Sequence, residues 1–382
     1  MIHSTNRWCR RAAVAALLLA ALVRPVAAQD AAKCAAPEPV CAARAAVYVV
    51  TAFEPLGSAV RIAPDLLVTN RHIVADLATA RVTTADGGVL DAIVVPTDYP
   101  GDLVLLRVAG LGPGPVLTPA TATADDAVFT IGADVGSRRV RTYRRGGILA
   151  LPAPGFALAR LYHTAYSQPG NSGGALVDDG GRLVGIVAAG GESGQEAIPA
   201  AEIERLRQAS GPGHRAAHDA IGAAYRACFT LLDPRLERPA PIDETTAAAI
   251  VDRCRATGNR QFLEMAGRVL GQGRRLDDSI AVLQAGVAQD PNATNTRLAL
   301  VVSLHFAGRF ADELPHIERL MAALPDDPQV LRFAIQAGTW AGDEALAERA
   351  FARLQEYHPQ MAPAARRFLD SDMPPPGRAA PK

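Results

Sequence analysis

The stretch QPGNSGGAL, residues 168–176, decides how the rest of this 382-residue sequence is interpreted. Three glycines surround one serine, Ser172, so no bulky neighbour blocks the approach to its hydroxyl. Gly170 can adopt a backbone conformation that turns amides toward one point, and the amides of Gly170 and Ser172 would then bind an oxyanion. The simpler interpretation is a glycine-rich turn before a strand, but the stretch is more specific than such a turn requires.

Two shorter stretches precede it and complete the order His, Asp, Ser. Residues 68–74, VTNRHIV, end an apolar strand in a polar turn that presents His72. Residues 101–107, GDLVLLR, place Asp102 directly before an almost wholly apolar strand. Taken alone, such a His is more often a packed or surface residue, and such an Asp is commonly a turn residue. The position of Asp102 nevertheless suits a buried carboxylate that orients an imidazole.

The region around these stretches is rich in short strands. From residue 46 to about 206, apolar runs such as residues 103–108 and 183–188 are separated by turn signals such as DGG at 86–88. Closely spaced strands without intervening helices predict an antiparallel barrel or sandwich. Beyond GPG at 211–213, Ala, Leu, Arg and Glu recur at helical spacing, which predicts a second, all-helical domain.

The helical half repeats itself. Two residue types recur every 34 positions, namely Pro291, Pro325 and Pro359, and Gly308 and Gly342. This period resembles tetratricopeptide (TPR) repeats over roughly residues 259–359, and a non-repeating helical bundle is the alternative. Because a single helix pair cannot bury its apolar face, three pairs must stack. Helices at about 214–232 and 243–257 are predicted to cap the stack.

The N-terminal residues 1–28 have the pattern of a secretory signal peptide. Arg7, Arg10 and Arg11 precede an apolar run over residues 12–23, and small residues at 26–28 precede the expected cut. The alternative is an uncleaved N-terminal anchor. Nothing beyond the first 30 residues is apolar for long enough to span a bilayer, so we expect a periplasmic or secreted protein.

The charge balance argues against nucleic acid as a partner. Lys+Arg and Asp+Glu both number 39, and removal of the signal peptide takes four Arg and no acid, leaving 35 − 39 = −4. A chain without an overall basic field lacks the electrostatic signature of a nucleic-acid-binding protein.

Four cysteines remain after signal removal, and four thiols allow three pairings. We favour Cys34–Cys41 and Cys228–Cys254, because each pair lies within one local segment and closes without crossing domains. An oxidising compartment would let both form, and four unpaired thiols are the alternative. No cysteine lies in a CxxC pattern or beside a catalytic-looking His, so neither zinc binding nor thiol chemistry is predicted.

Together the motifs resemble the trypsin-like (chymotrypsin-fold) serine peptidases, and among them the HtrA/Do-like branch, over about residues 46–206. The resemblance also includes short matches elsewhere in this region, namely GSAV at 57–60, DGG at 86–88, GI at 147–148, GI at 185–186 and AIP at 197–199. It implies two six-stranded β-barrels with the site between them. It further implies His72 as general base, Asp102 as its orienting carboxylate and Ser172 as nucleophile, with an oxyanion hole from the amides of Gly170 and Ser172.

The resemblance also implies where a substrate would bind. The primary pocket would be lined near Tyr166 and by Ala188, Ala189 and Gly190, and these last three residues would also pair with an extended substrate strand. Because no acid stands at Tyr166, where trypsin-type enzymes keep one, we expect small or medium apolar side chains in this pocket. A packed, non-functional Tyr166 is the alternative.

Several family features are altered in this chain. No Ile/Val-Val-Gly-Gly start precedes the barrel, so activation by a newly cut N-terminus is not expected. Helical repeats stand where HtrA-like proteins carry PDZ domains. The long loop of some HtrA enzymes between the first strands is absent, because only residues 51–56 precede Gly57.

The predicted fold class is thus an all-β double barrel of chymotrypsin type followed by an all-α TPR-like domain. The predicted segments are a signal peptide 1–28, an N-terminal segment 29–45, a peptidase domain 46–206, a linker with capping helices 207–258, repeats 259–359 and a tail 360–382 with a disordered end.

Two functions from different classes fit these segments. The first is a secreted or periplasmic serine endopeptidase that acts on proteins or peptides and whose repeats recruit substrate or a protein partner. The second is a catalytically silent scaffold whose repeats bind proteins. No cofactor or metal is predicted, because His214 and His218 share a predicted helix face but lack both the usual intervening Glu and a third ligand.

Overall fold

The computed structural model describes residues 34–191, 194–371, 373 and 375. The predicted signal peptide and most of the predicted disordered tail lie outside these residues. Within the part described, no helix combines the length and the apolar character that crossing a bilayer requires.

The first half of the chain begins with a closed six-stranded antiparallel barrel in the order β1-β2-β3-β6-β5-β4. Its strands are β1 Val47–Thr51, β2 Gly57–Ala63, β3 Leu66–Thr69, β4 Thr79–Thr83, β5 Val89–Val95 and β6 Val104–Val108. Alternation along β4 buries Ala80 and Val82, while Thr79 and Arg81 are exposed. The buried side chains meet Val50, Val94 and Leu106 inside the barrel.

A second barrel follows, formed by the ring β7-β9-β10-β13-β12-β11, which closes where β11 pairs with β7. Its strands are β7 Ala127–Ala133, β9 Gly146–Ala150, β10 Leu161–His163, β11 Ala175–Asp178, β12 Leu183–Gly191 and β13 Gly194–Pro199, with β8 Val140–Thr142 added at the edge of β7. Side chains from both barrels share one core, in which Val60 and Val68 pack with Ile131 and Ile186.

The second half of the chain is helical, and the prediction of a double β-barrel followed by helices is confirmed. The long helices are α4 Arg215–Glu237, α5 Glu244–Arg255, α6 Arg260–Gln272, α7 Leu276–Gln289, α8 Thr294–Phe306, α9 Phe310–Ala323, α10 Pro328–Ala341, α11 Glu344–Tyr357 and α12 Ala362–Leu369. Among the described residues of the barrel half, the short α-helices are α1 Glu38–Ala43, α2 Arg71–Val74 and α3 Glu202–Gln208.

The helix pairs repeat with the period seen in the sequence. α6, α8, α10 and α12 begin at residues 260, 294, 328 and 362, and α7, α9 and α11 begin at residues 276, 310 and 344. Polar caps fix several of these starts, since the side chains of Asn259, Asp327 and Asp343 each accept a hydrogen bond from a backbone amide of the first turn. Gly342 ends α10 in the left-handed conformation, with φ of 80°.

A disulfide between Cys228 and Cys254 joins α4 to α5, with 4.8 Å between the two Cα atoms. Both cysteines are fully buried. The two cysteines are 26 positions apart in the sequence. Crosslinking a loop of that size lowers the entropy of the unfolded chain, which stabilises the fold by about 3 kcal/mol. Cys34 and Cys41 are disulfide-bonded as well.

A buried ionic cluster joins the helical half to the second barrel. The carboxylate of Glu196 on β13 accepts hydrogen bonds from Arg160 at 3.0 Å and from Arg260 on α6 at 3.1 and 2.7 Å. Asp290, at the end of α7, accepts from the Tyr162 hydroxyl at 2.7 Å and from the Arg160 amide at 3.0 Å. Burial opposes ionisation of Glu196, but the two guanidiniums outweigh it and lower its pKa to about 2.

We expect Arg260→Ala to lower the free energy of unfolding by about 3–5 kcal/mol, because it leaves the buried Glu196 charge short of a partner. The matched change Arg309→Ala, which removes an exposed pair with Asp312, is expected to cost at most about 1 kcal/mol. Urea denaturation followed by circular dichroism measures both.

The same cluster predicts a pH dependence. Since the pKa of Glu196 is lowered from 4.5 to about 2, its stabilising effect is complete above pH 4.5 and is lost as the pH falls toward 2. Arg260→Ala should weaken the dependence of the free energy of unfolding on pH between 4.5 and 2. If Arg260→Ala and Arg309→Ala lowered the free energy of unfolding equally, the cluster would not hold the two halves together.

Candidate active site

The side chains of His72 and Asp102 are brought together by the pairing of two strands. β3 and β6 are antiparallel neighbours with Thr69 opposite Val104, so the residues after β3 lie beside those before β6. The Nδ1 atom of His72 lies 2.7 Å from Oδ2 of Asp102, and the His72 amide donates to Oδ1 at 3.0 Å. Asn70 donates to the Asp102 carbonyl at 2.9 Å. The imidazole is therefore held in one orientation by the carboxylate.

Burial and mutual attraction act in opposite directions on this pair. Burial disfavours the charged form of His72, but the Asp102 carboxylate outweighs it, so the pKa of His72 is raised above its usual 6.5. Burial likewise opposes ionisation of Asp102, yet His72 holds the pKa of that carboxyl below its usual range. The pair thus favours an ionised carboxylate beside a basic imidazole.

Ser172 lies in the loop before β11, and the first barrel holds this loop in place. The carbonyl of Ser172 accepts from the Ser58 amide at 2.8 Å. The Ser58 hydroxyl donates to the Gly170 carbonyl at 2.7 Å and accepts from the Ala133 amide at 2.8 Å. In the sequence Ser58 is only one residue of the GSAV motif at 57–60. This role could not be predicted, because nothing near Ser58 in the sequence indicates a partner in the second barrel.

The geometry of the loop explains its glycines. Gly170 and Gly173 have φ of 96° and 81°, a region that L side chains rarely adopt. A Cβ on Gly173 would collide with the Ser58 carbonyl oxygen, and one on Gly170 would lie 2.9 Å from the Ala133 oxygen. The loop therefore reaches the first barrel only with glycine at these two positions.

The hydroxyl of Ser172 donates to the backbone carbonyl of Ala188 at 3.3 Å rather than to the imidazole of His72. Among the residues that the structure describes, the amides of Gly170 and Ser172 donate to no protein acceptor. Ser172 and His72 line the same cleft, which has a volume of about 670 Å³. The chemistry that the cleft can support is nucleophilic attack by a hydroxyl beside a buried base, with two amides free to bind an oxyanion.

The residues predicted to line the primary pocket do not all lie in the cleft. Ala188, Ala189 and Gly190 line the cleft together with Ser172. Tyr166 is 43% exposed, packs against Tyr143 with 5.7 Å between ring centroids and lines a neighbouring groove. The structure therefore places the strand residues, but not Tyr166, at the wall of the cleft.

Residues that sequence reasoning missed also line the cleft. From the helical half come Phe229 on α4 and Gln261, Phe262 and Met265 on α6. From the β1–β2 loop comes Glu54, whose pKa is raised by burial and lowered in smaller part by His72. No pattern in the sequence points to them, because their role depends on how two separate halves of the chain pack.

The two histidines considered as a metal pair have different partners. His214 lies 2.9 Å from Asp98, whereas His218 is buried with its Nδ1 atom 3.5 Å from Arg71. Burial, followed by the Arg71 charge, lowers the pKa of His218 to about 4, so it packs as a neutral side chain at physiological pH.

Comparison with known proteins agrees with this geometry. Residues 57–186 match the family described as trypsin-like peptidase domain. The protease Do-like 1 of the Arabidopsis thaliana chloroplast is 35% identical over 129 residues, which cover 31% of this chain and 29% of that protein. The serine endoprotease DegS of Salmonella typhimurium is 33% identical over 127 residues, covering 31% of this chain and 35% of that protein. The chain thus spans only about a third of the length of these relatives.

Among solved structures, an HtrA-type protease, AlgW, with a tripeptide is 29% identical, with 44% of this chain and 61% of that chain covered and a TM-score of 0.40.

We expect Asp102→Asn to lower the pKa of His72, because the attraction of the carboxylate is lost while burial continues to disfavour the imidazolium. The ring-carbon resonances of histidine, followed by NMR against pH, measure this directly. The matched change Asp98→Asn, which removes the carboxylate beside His214, should leave the His72 titration unchanged. A His72 pKa that is the same in wild type and Asp102→Asn would contradict the assigned contact.

Proposed function

We propose that this protein is a serine endopeptidase that hydrolyses peptide bonds in protein substrates, because residues 57–186 match the trypsin-like peptidase domain. The observation that supports the proposal most is the His72–Asp102 contact of 2.7 Å in the cleft that Ser172 also lines. We base the activity of the whole protein on its own geometry, because the relatives match this chain only in the peptidase region.

In the proposed reaction the Nδ1–H of His72 donates a hydrogen bond to the Asp102 carboxylate, which leaves Nε2 as the basic atom of the neutral ring. Ser172 turns its hydroxyl from the Ala188 carbonyl toward this nitrogen and attacks the substrate carbonyl as His72 takes its proton. The imidazolium, stabilised by Asp102, then returns that proton to the leaving amine. Water and the same base hydrolyse the acyl-enzyme.

The negative charge that develops on the substrate oxygen requires donors that are already in place. The amides of Gly170 and Ser172 are the candidates, because the loop that carries them is fixed by Ser58 and neither amide donates elsewhere in the described part of the chain. Losing one such donor typically costs about 100- to 1,000-fold in turnover.

Export is part of the proposal. The N-terminal pattern of residues 1–28 and the buried Cys228–Cys254 disulfide both fit a periplasmic or secreted protein. The helix pairs, with their 34-residue spacing, are proposed to be TPR-like repeats that recruit substrate or a protein partner.

We expect a fluorophosphonate probe to label the mature protein at Ser172, and Ser172→Ala to abolish both labelling and casein cleavage. Ser167 lines the same cleft, so Ser167→Ala is the matched control and should retain both activities. Labelling that survives Ser172→Ala would refute the assignment of Ser172 as the nucleophile. A wild-type protein that is neither labelled nor active on casein would favour the silent scaffold instead.

The raised pKa of His72 predicts the pH profile of the activity. Only the neutral imidazole accepts the Ser172 proton, so kcat/KM should rise with pH along a limb whose midpoint lies above 6.5, the ordinary histidine value. Hydrolysis of a fluorogenic peptide between pH 5 and 9 measures the limb. A midpoint at or below 6.5 would show that the Asp102 charge does not set the base strength in the free enzyme.

A further inference from the structure

The cleft that contains Ser172 has a wall that does not belong to the peptidase domain. Phe229 of α4 and Gln261, Phe262 and Met265 of α6 line the cleft, as do the strand residues of β12. We propose that this helical wall is a substrate subsite that selects a large apolar side chain of an extended peptide lying along β12. The inference rests on the proposed function, since it names the substrate class of the same cleft.

The α4 part of the wall is held against the first barrel by a close approach. Gly222 lets α4 pack on the backbone after α2, because a Cβ there would lie 2.5 Å from the Ala75 carbonyl oxygen. Arg226 donates to the Asp76 carboxylate at 2.8 and 3.0 Å and lies 4.7 Å from the centre of the Phe53 ring. Phe229, one turn further along α4, meets Phe53 edge to face at 5.3 Å. The ring of Phe229 is thereby fixed at the rim of the cleft.

The α6 part of the wall is held against the second barrel and α4. Arg260, at the start of α6, is bonded to Glu196 of β13. Phe262 packs edge to face on Tyr225 at 4.9 Å. Gln261 and Met265 are four residues apart and so lie on one face of the helix, the face that lines the cleft.

The chemistry of the wall favours an apolar side chain with a backbone amide beside it. Phe229 and Met265 are partly exposed and present aromatic and thioether surface, with the buried Phe262 behind them. Met adapts readily to differently shaped apolar partners. The Oε1 atom of Gln261 is buried and has no hydrogen-bond partner among the described residues. An unpaired acceptor is stabilised when it receives a donor. Rotation of the Gln261 carboxamide toward the cleft would let it accept from the backbone N–H of a bound peptide.

The position of the wall determines which part of the substrate it contacts. An extended peptide that pairs with residues 188–190 of β12 would run between the second barrel and α6, because both border the same cleft. Side chains alternate along an extended strand, so only those that point toward α6 reach Gln261 and Met265. The peptidase domain and the helical half would therefore each select a different position of one substrate.

Peptide binding to full-length Ser172→Ala protein tests the subsite without requiring hydrolysis. Fluorescein-labelled hexapeptides that carry Leu, Ser, Glu or Lys at one position at a time are titrated and followed by fluorescence anisotropy. We expect one position to prefer Leu over Glu by about tenfold or more, the usual discrimination of an apolar pocket. Adding Met265→Glu should abolish this preference and favour Lys at the same position.

The matched control is Gln272→Glu, which adds the same charge to an exposed site on α6 and should leave all affinities unchanged. Met265→Gln is the milder second variant, which keeps the side-chain length and should weaken the Leu preference without adding charge. Circular dichroism checks that each variant is folded. Unchanged peptide preferences in folded Met265→Glu or Met265→Gln protein would overturn the proposal.

Labelling of Ser172 by the fluorophosphonate probe separates this inference from the proposed function. Efficient labelling with no effect of Met265 on peptide preference would refute the subsite and leave the peptidase proposal standing. The opposite result is a Met265-dependent peptide preference in the Ser172→Ala protein, combined with wild-type protein that the probe does not label. That result would support the subsite and refute the peptidase.

Discussion

The buried carboxylate of Glu196 is the contact on which the arrangement of the two halves depends. Both of its oxygens are engaged, by Arg160 of the second barrel and by Arg260 of α6, and almost no solvent reaches it. An ionised group in that position is tolerated only with both guanidiniums in place. The pairing therefore sets where α6 begins relative to β13, and with it where Gln261 and Met265 meet the cleft.

The candidate site is also held together by contacts between distant segments of the chain. Asp102 holds the ring of His72, and Ser58 of the first barrel holds the loop that carries Ser172 in the second. The Ser172 hydroxyl is the part left adjustable, since its hydrogen bond to Ala188 is long at 3.3 Å and is replaced by a rotation about one bond. A rigid frame around one mobile hydroxyl fits the nucleophile of an acyl-transfer reaction.

The helical half is continuous with this frame. The disulfide between Cys228 and Cys254 joins α4 to α5, and α4 in turn packs on the first barrel through Gly222. The cleft proposed to cleave proteins and the helix pairs proposed to recruit them are therefore connected through α4. Substrate recruitment is thus proposed for the helix pairs, and substrate selection for the α4 and α6 wall.

The sequence by itself determined the local features. The glycine pattern around Ser172 predicted a loop with unusual backbone angles, and the 34-residue period predicted the helix pairs. Short apolar runs between turn signals predicted an antiparallel barrel or sandwich, and the family resemblance implied two barrels. These features follow from local steric limits and from periodicity, and both can be recognised from the order of residues along the chain. Only the tertiary structure decided that Tyr166 lies outside the cleft, that Ser58 braces the serine loop and that Met265 borders the site. Those outcomes depend on packing between segments far apart in the chain. Many side chains have similar polarity, so polarity alone does not identify which of them are in contact, and the close packing of the folded core determines it.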